Sequence, residues 1–240
     1  MFGISVAIVA TAVVSRMPII NADPPPPTKT ILLIGDSITV GHDQNGGWRP
    51  ILQQLFNSVG QPVHFEMLAG GGWSTSTTWP TMTAALLATH PDWVLYNMGT
   101  NDTGDVAGYE QRTDLTVSAI EQMLPATHIG LAFIQYSNAQ LPGLPLGEAR
   151  VNDALYRVCM RHSFINTTNI GAAFGGLANF QDMQSTYLDA GGVHPNAQGY
   201  EIMAHKLYDA NQVRMAAAGW NITPIPYAYP PLTGGRPAGS

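Results

Sequence analysis

Two short apolar runs, each ending in a small polar turn, constrain this chain more than any other feature. Ile31-Leu32-Leu33-Ile34 leads straight into Gly35-Asp36-Ser37, and Trp93-Val94-Leu95-Tyr96 leads into Gly99-Thr100-Asn101-Asp102 two residues beyond Asn97. An uninterrupted apolar run of this length reads as a strand covered on both faces, the situation of a parallel sheet between two layers of helix. Open sheets of that kind bind ligands outside the carboxyl ends of their strands. A serine and an asparagine delivered by turns at two strand ends are therefore candidate chemistry-bearing residues.

The rest of the chain supports an α/β reading, because strand-like and helix-like patterns alternate. Strands are expected over residues 30–34, 63–68, 92–97 and 128–134, with a short fifth over 163–166. Helices are expected over 48–58, 80–89, 109–123, 147–162 and 195–218, the last with Ile202, Met203, Leu207 and Val213 as its buried stripe. Pro50, Pro80 and Pro195 suit first turns, and Gly60 suits a stop. No internal repeat is visible.

At 240 residues the chain fits one domain, here bounded as 30–222, between a proline-rich spacer over 23–29 and a tail over 223–240 that is draped or disordered. Only 11% of residues are charged and the formal net charge is −6, with no cationic cluster, so no nucleic-acid partner is expected. The single Cys159 forms no internal disulfide and reads as a small buried hydrophobe. Residues 3–14 are almost wholly apolar and precede Ala22 and the proline run 24–27, the pattern of a signal peptide over 1–22 and of a secreted or cell-surface protein. The lone Arg16 follows the apolar run instead of preceding it, which keeps a retained anchor or a misplaced start codon as alternatives. No stable membrane insertion of the mature domain is expected.

Acyl transfer needs a nucleophile, a base and donors for an oxyanion, and four blocks in order supply these types: Gly35-Asp36-Ser37-Ile38-Thr39, Gly70-Gly71-Gly72, Gly99-Thr100-Asn101-Asp102 and His194-Pro195. In this order the blocks resemble the SGNH (GDSL-type) hydrolase superfamily over roughly residues 30–209. The resemblance implies a flavodoxin-like three-layer α/β/α sandwich with a mainly parallel sheet. It also implies Ser37 as nucleophile, His194 as base, and an oxyanion hole of the Ser37 N–H, a glycine N–H and the Asn101 amide. Only an amide, not a carboxylate, donates to a developing negative charge at the asparagine position. The strand-end register selects Gly70 for the glycine. Thr100 and Asp102 are read as braces for the loop. The superfamily's Asp-x-x-His pattern is absent, since Gly191 stands three residues before His194. Asp189, five residues ahead with Ala190-Gly191-Gly192 between, is the candidate third member; a backbone carbonyl orienting the ring in a Ser–His dyad is the alternative. The other histidines (His42, His64, His90, His128, His162 and His205) lack a supporting motif.

No Gly-x-Ser-x-Gly elbow, P-loop, dinucleotide fingerprint or zinc-type spacing is present, so neither a metal nor another cofactor is implied. Gly46-Gly47-Trp48-Arg49 is similar to the stretch after the first block in carbohydrate acetyl esterases of the superfamily. Trp48, Trp73 and Trp79 are candidate substrate contacts, with core or rim packing as the alternative, and the loop 135–146 is a candidate wall or lid. The expected substrate is a small-molecule or polysaccharide ester with a short acyl group, acetyl above all. A lipase or thioesterase, and a weakly active binding or surface-assembly protein on the same fold, are the competing readings.

Overall fold

A computed structural model describes residues 26–42, 44–132, 134, 144–162, 165–168 and 187–229. Five strands, β1 (Lys29–Gly35), β2 (Val63–Ala69), β3 (Trp93–Asn97), β4 (His128–Ala132) and β5 (Ile165–Thr168), form one sheet. Every pairing is parallel and the spatial order is β2-β1-β3-β4-β5, the flavodoxin-like order. The two apolar runs occupy β1 and β3, and every β3 residue is buried.

Alternate residues of the central strands feed two separate cores. Ile31, Leu33, Trp93 and Leu95 pack with α2 (Trp48–Ser58) and the last helix, α6 (Ala197–Ala217). Leu32, Ile34, Val94 and Tyr96 pack on the other face with α3 (Thr75–Thr89), α4 (Val106–Met123) and α5 (Leu144–Arg161). A strand alternates its side chains between faces, so a continuous apolar run is what a three-layer sandwich requires. Among the described residues no helix is long and apolar enough to cross a membrane.

Several boundaries differ from the sequence reading for identifiable reasons. Helix α3 begins at Thr75 and carries Pro80 inside it, instead of starting there. Its first turn is fixed by a tertiary contact, the Thr75 N–H donating to both oxygens of Asp102 at 3.1 Å. Helix α6 is capped by Asn196, whose side chain accepts the Gly199 N–H at 3.0 Å; Pro195 lies before it, bridged to Leu188. Val213 is 75% exposed and not part of the buried stripe; Asn211 and Met215, on the turns that continue Met203, Ala204 and Leu207, are buried instead. The polar Asn211 can line the core because its Nδ2 donates to the Leu207 carbonyl at 2.7 Å. Cys159 is half-buried against the second core, and burial pushes its thiol up to about 11.

The tail is draped along α6 as far as Tyr229. Tyr227 stacks on His205 at 3.7 Å, the Tyr229 hydroxyl donates to Asp209 at 2.6 Å, and the Tyr208 hydroxyl donates to the Thr223 carbonyl at 2.8 Å. The apolar amino terminus, residues 23–25 of the proline spacer and residues 135–143 of the proposed lid lie outside the described residues.

Gln61 joins the two ends of the domain. Its amide nitrogen donates to the Pro27 carbonyl at 3.1 Å and the Pro62 carbonyl at 3.0 Å, and its oxygen accepts the Asn221 N–H at 2.7 Å, all with the side chain 1% exposed. Gln61→Ala strands these groups and is expected to cost about 1–3 kcal/mol in urea unfolding. An unchanged midpoint would contradict this reading of the junction.

Candidate active site

The sheet register places the candidate residues before any side chain is considered. Gly35, the last residue of β1, is level with Ala69 at the end of β2 and Asn97 at the end of β3. The chain leaves three adjacent strands at one height, and Ser37, Gly70 and Asn101 follow within a few residues on the same edge.

Ser37 opens α1 (Ser37–Val40), a single turn capped by Asp36, whose carboxylate accepts the Ile38 N–H at 3.0 Å. As the first helical residue, Ser37 has an N–H with no acceptor inside the helix, leaving it available to an incoming oxyanion. Its hydroxyl lies 2.8 Å from His194 Nε2, the distance of a nucleophile–base hydrogen bond across 157 residues of sequence.

His194 stands on a closed loop. Leu188 and Pro195 form an antiparallel bridge, the Asp189 N–H donates to the His194 carbonyl at 2.8 Å, and Gly192 turns the chain at φ 70° with its N–H on the Asp189 carbonyl. This turn brings Asp189 beside the imidazole despite the five-residue spacing: Asp189 Oδ2 is 3.5 Å from His194 Nδ1. That is long for a charge-assisted hydrogen bond, which is normally below 3 Å. The sequence missed a further neighbour, His42. Its ring stacks on His194 with centroids 4.3 Å apart and planes 16° from parallel.

Loops 70–75 and 99–102 clasp each other. Asn101 Nδ2 donates to the Trp73 carbonyl at 2.9 Å, which fixes the amide with its NH₂ end toward the β2 loop and one N–H committed. The Trp73 indole lies over Gly70, where a Cβ would run into the ring; the glycine is thus required by Trp73 as much as by any substrate. One residue on, Asp102 is 2% exposed and takes the Thr75 N–H and hydroxyl. Arg112 on α4 closes the cluster, with Nε on the Thr75 hydroxyl at 2.8 Å and Nη2 3.4 Å from Asp102. Burial raises the Asp102 pKa, and the Thr75 and Arg112 donors oppose that shift. Asp102 braces the loop. Thr75 and Arg112 carry no local sequence signal, because their roles exist only once α3 and α4 pack together.

The tryptophans divide. Trp48 is 1% exposed in the first core, so its candidacy as a substrate contact is corrected to core packing; its position at the start of α2 points it inward. Trp73 and Trp79 are half-buried against the second core and retain partial exposure. Among the described residues no group of three or more His, Cys, Asp or Glu side chains is placed to hold a metal ion.

The buried Asp36 carboxyl is pushed up to about 6, chiefly by desolvation, with the Ile38 N–H and Thr100 beside it partly offsetting the shift. The folded state holds this proton more tightly than the unfolded chain, whose carboxyl titrates near 3.8. The stabilisation is therefore complete below about pH 4 and is lost as pH rises through about 6. Asp36→Asn keeps the cap acceptor and never ionises. The stability difference between the two proteins is expected to move by ~3 kcal/mol in favour of the variant between about pH 4 and pH 7. A difference independent of pH would contradict the buried-acid assignment.

Residues 33–202 match the GDSL-like lipase/acylhydrolase family. No curated protein sequence matches the chain. Among solved structures, a lipase/acylhydrolase from Enterococcus faecalis superposes with a TM-score of 0.65 at 18% identity, covering 82% of this chain and 100% of the other. A family 3 carbohydrate esterase from Clostridium thermocellum gives 0.64 at 18% identity, covering 80% and 98%. A catalytic mutant of an acetylxylan esterase from Geobacillus stearothermophilus gives 0.64 at 18% identity, covering 76% and 93%. These likenesses carry the fold, and the family match extends over more than two thirds of the sequence: the chain belongs to the GDSL-like lipase/acylhydrolase family, as a serine esterase of the SGNH type.

Proposed function

We propose that the protein hydrolyses short-chain acyl esters, acetyl esters of polysaccharide foremost, through an acyl-Ser37 intermediate. The observation that carries this reading is the 2.8 Å contact between Ser37 Oγ and His194 Nε2 at the carboxyl edge of the sheet. Ser37 Oγ attacks the ester carbonyl carbon while its proton passes to His194 Nε2. The oxyanion that forms is met by the N–H groups of Ser37 and Gly70 and by the second amide N–H of Asn101. The carbon–alkoxide bond then breaks, His194 returns the proton to the departing alkoxide, and the acyl group stays on Ser37. In the second half a water gives its proton to His194 and attacks the acyl carbon. The bond to Oγ breaks, Ser37 regains a proton from His194, and the carboxylic acid leaves. Asp189 faces the imidazolium at Nδ1 in both halves.

The preference for short acyl groups on sugars is supported by the carbohydrate-esterase and acetylxylan-esterase structures among the likenesses, and by the Gly46-Gly47-Trp48-Arg49 stretch. With Trp48 in the core, Trp73 and Trp79 are the remaining indoles for a sugar platform.

Hydrolysis of p-nitrophenyl acetate, butyrate and octanoate by the protein from Asp23 onward tests both levels of the reading. Acetate is expected to be fastest and octanoate slowest, with Ser37→Ala lowering kcat by at least ~10³-fold. Octanoate turned over fastest would replace acetyl ester with lipid or thioester substrates; no turnover above Ser37→Ala on any ester would favour a binding role. Asn101→Ala is expected to lower kcat by about 10²–10³-fold with little change in KM. Asp189→Ala is expected to lower kcat by less than Ser37→Ala does, because the contact it removes is long. An equal loss would place Asp189 fully within the reacting group.

A further inference from the structure

We propose that His42 is a positioning residue for the catalytic base, holding the plane of the His194 ring and so supplying orientation that the 3.5 Å Asp189 contact alone supplies weakly. The inference rests on the reading of Ser37 and His194 as nucleophile and base.

Three contacts form a closed circuit. The His42 N–H donates to the Ser37 carbonyl at 3.1 Å, alongside the Gly41 N–H at 3.0 Å. The His42 ring stacks on the His194 ring, and His194 Nε2 reaches back to Ser37 Oγ at 2.8 Å. The platform that touches the base is thus anchored to the nucleophile's own backbone. Gly41 makes the circuit possible. It ends α1 at φ 83°, and a Cβ there would strike the backbone of Gly46 and Gly47, so the turn carrying His42 is wedged against the start of α2.

Asp189 and His42 constrain different motions of the His194 ring. A face-to-face stack with planes 16° apart opposes tilting of the imidazole about its Cβ–Cγ bond, because any tilt drives ring edges into the neighbouring face. A half-turn about the same bond keeps the stack but exchanges Nδ1 with Cδ2 and Nε2 with Cε1. Asp189 at the Nδ1 edge selects between those two settings. At 3.5 Å the Asp189 carboxylate restrains the ring plane less than a short hydrogen bond would, and leaves the plane to His42. An imidazole is not required for this task. Any flat ring at position 42 serves.

His42 is exposed and belongs to neither core, so its substitution is expected to leave thermal melting unchanged. The test compares His42→Ala and His42→Phe with the native protein, using two readouts: kcat and KM for p-nitrophenyl acetate, and the rate at which a fluorophosphonate inactivates the protein. In the second, Ser37 Oγ bonds to phosphorus, fluoride leaves, and the proton goes to His194. His42→Ala is expected to lower kcat and the inactivation rate by about tenfold or more with KM within about twofold, since a small misplacement of a reacting group is enough for such a loss. His42→Phe is expected to restore most of both. Native rates in His42→Ala overturn the assignment, and so does a His42→Phe protein as slow as His42→Ala, which would make the imidazole nitrogens and not the ring face the working part. A native protein that neither cleaves ester nor reacts with the fluorophosphonate overturns the esterase reading itself, and the His42 role with it.

Discussion

The site depends on the register of three adjacent parallel strands. Because Gly35 is level with both Ala69 and Asn97, the loops after β2, β1 and β3 begin at one height on one edge of the sheet. Those loops carry Gly70, Ser37 and Asn101. A shift of one residue in either pairing would turn every side chain of that strand to the opposite face and exchange the two cores. The hydrophobic division between the α2/α6 face and the α3/α4/α5 face therefore fixes the relative height of Ser37, Gly70 and Asn101. Packing energy, spread over Ile31 to Ile34 and Trp93 to Tyr96, sets the geometry of groups that themselves contribute little to stability.

Around that edge, the loops are tied to one another. Asn101 holds Trp73, Trp73 covers Gly70, and Asp102 holds the first turn of α3 with Arg112 behind it. Such cross-bracing holds the Asn101 amide and the loop backbone in fixed directions, the kind of preorganisation on which electrostatic catalysis draws. On the other side of Ser37, the His194 loop closes on itself through the Leu188–Pro195 bridge and the Asp189–His194 backbone bond. That closure explains how an aspartate five residues ahead of the histidine still faces its ring.

The architecture was legible in the sequence because it is written in local pattern. The apolar runs mark the central strands, and the alternation of elements marks the sandwich. The four blocks mark Ser37, Gly70, Asn101 and His194. The losses are features decided by how the elements pack against one another, which local pattern does not record. Helix α3 starts five residues before Pro80 because Asp102 accepts from Thr75. Val213 looked like core and is exposed, whereas the polar Asn211 is core because it satisfies its own amide within the helix. Trp48 looked like a ligand platform because its motif adjoins the site, but the first turn of α2 points it inward. His42 had no motif at all, and its stack on His194 joins positions 152 residues apart in sequence.

A crystal structure of the protein after reaction with a phosphonate ester tests the central claim most directly, since the adduct mimics the tetrahedral intermediate. The account predicts phosphorus bonded to Ser37 Oγ and the phosphoryl oxygen within hydrogen-bond distance of Asn101 Nδ2 and the N–H groups of Ser37 and Gly70. It also predicts that His194 Nε2 faces the leaving-group oxygen. An adduct on another residue, or a phosphoryl oxygen turned away from Asn101, would contradict it.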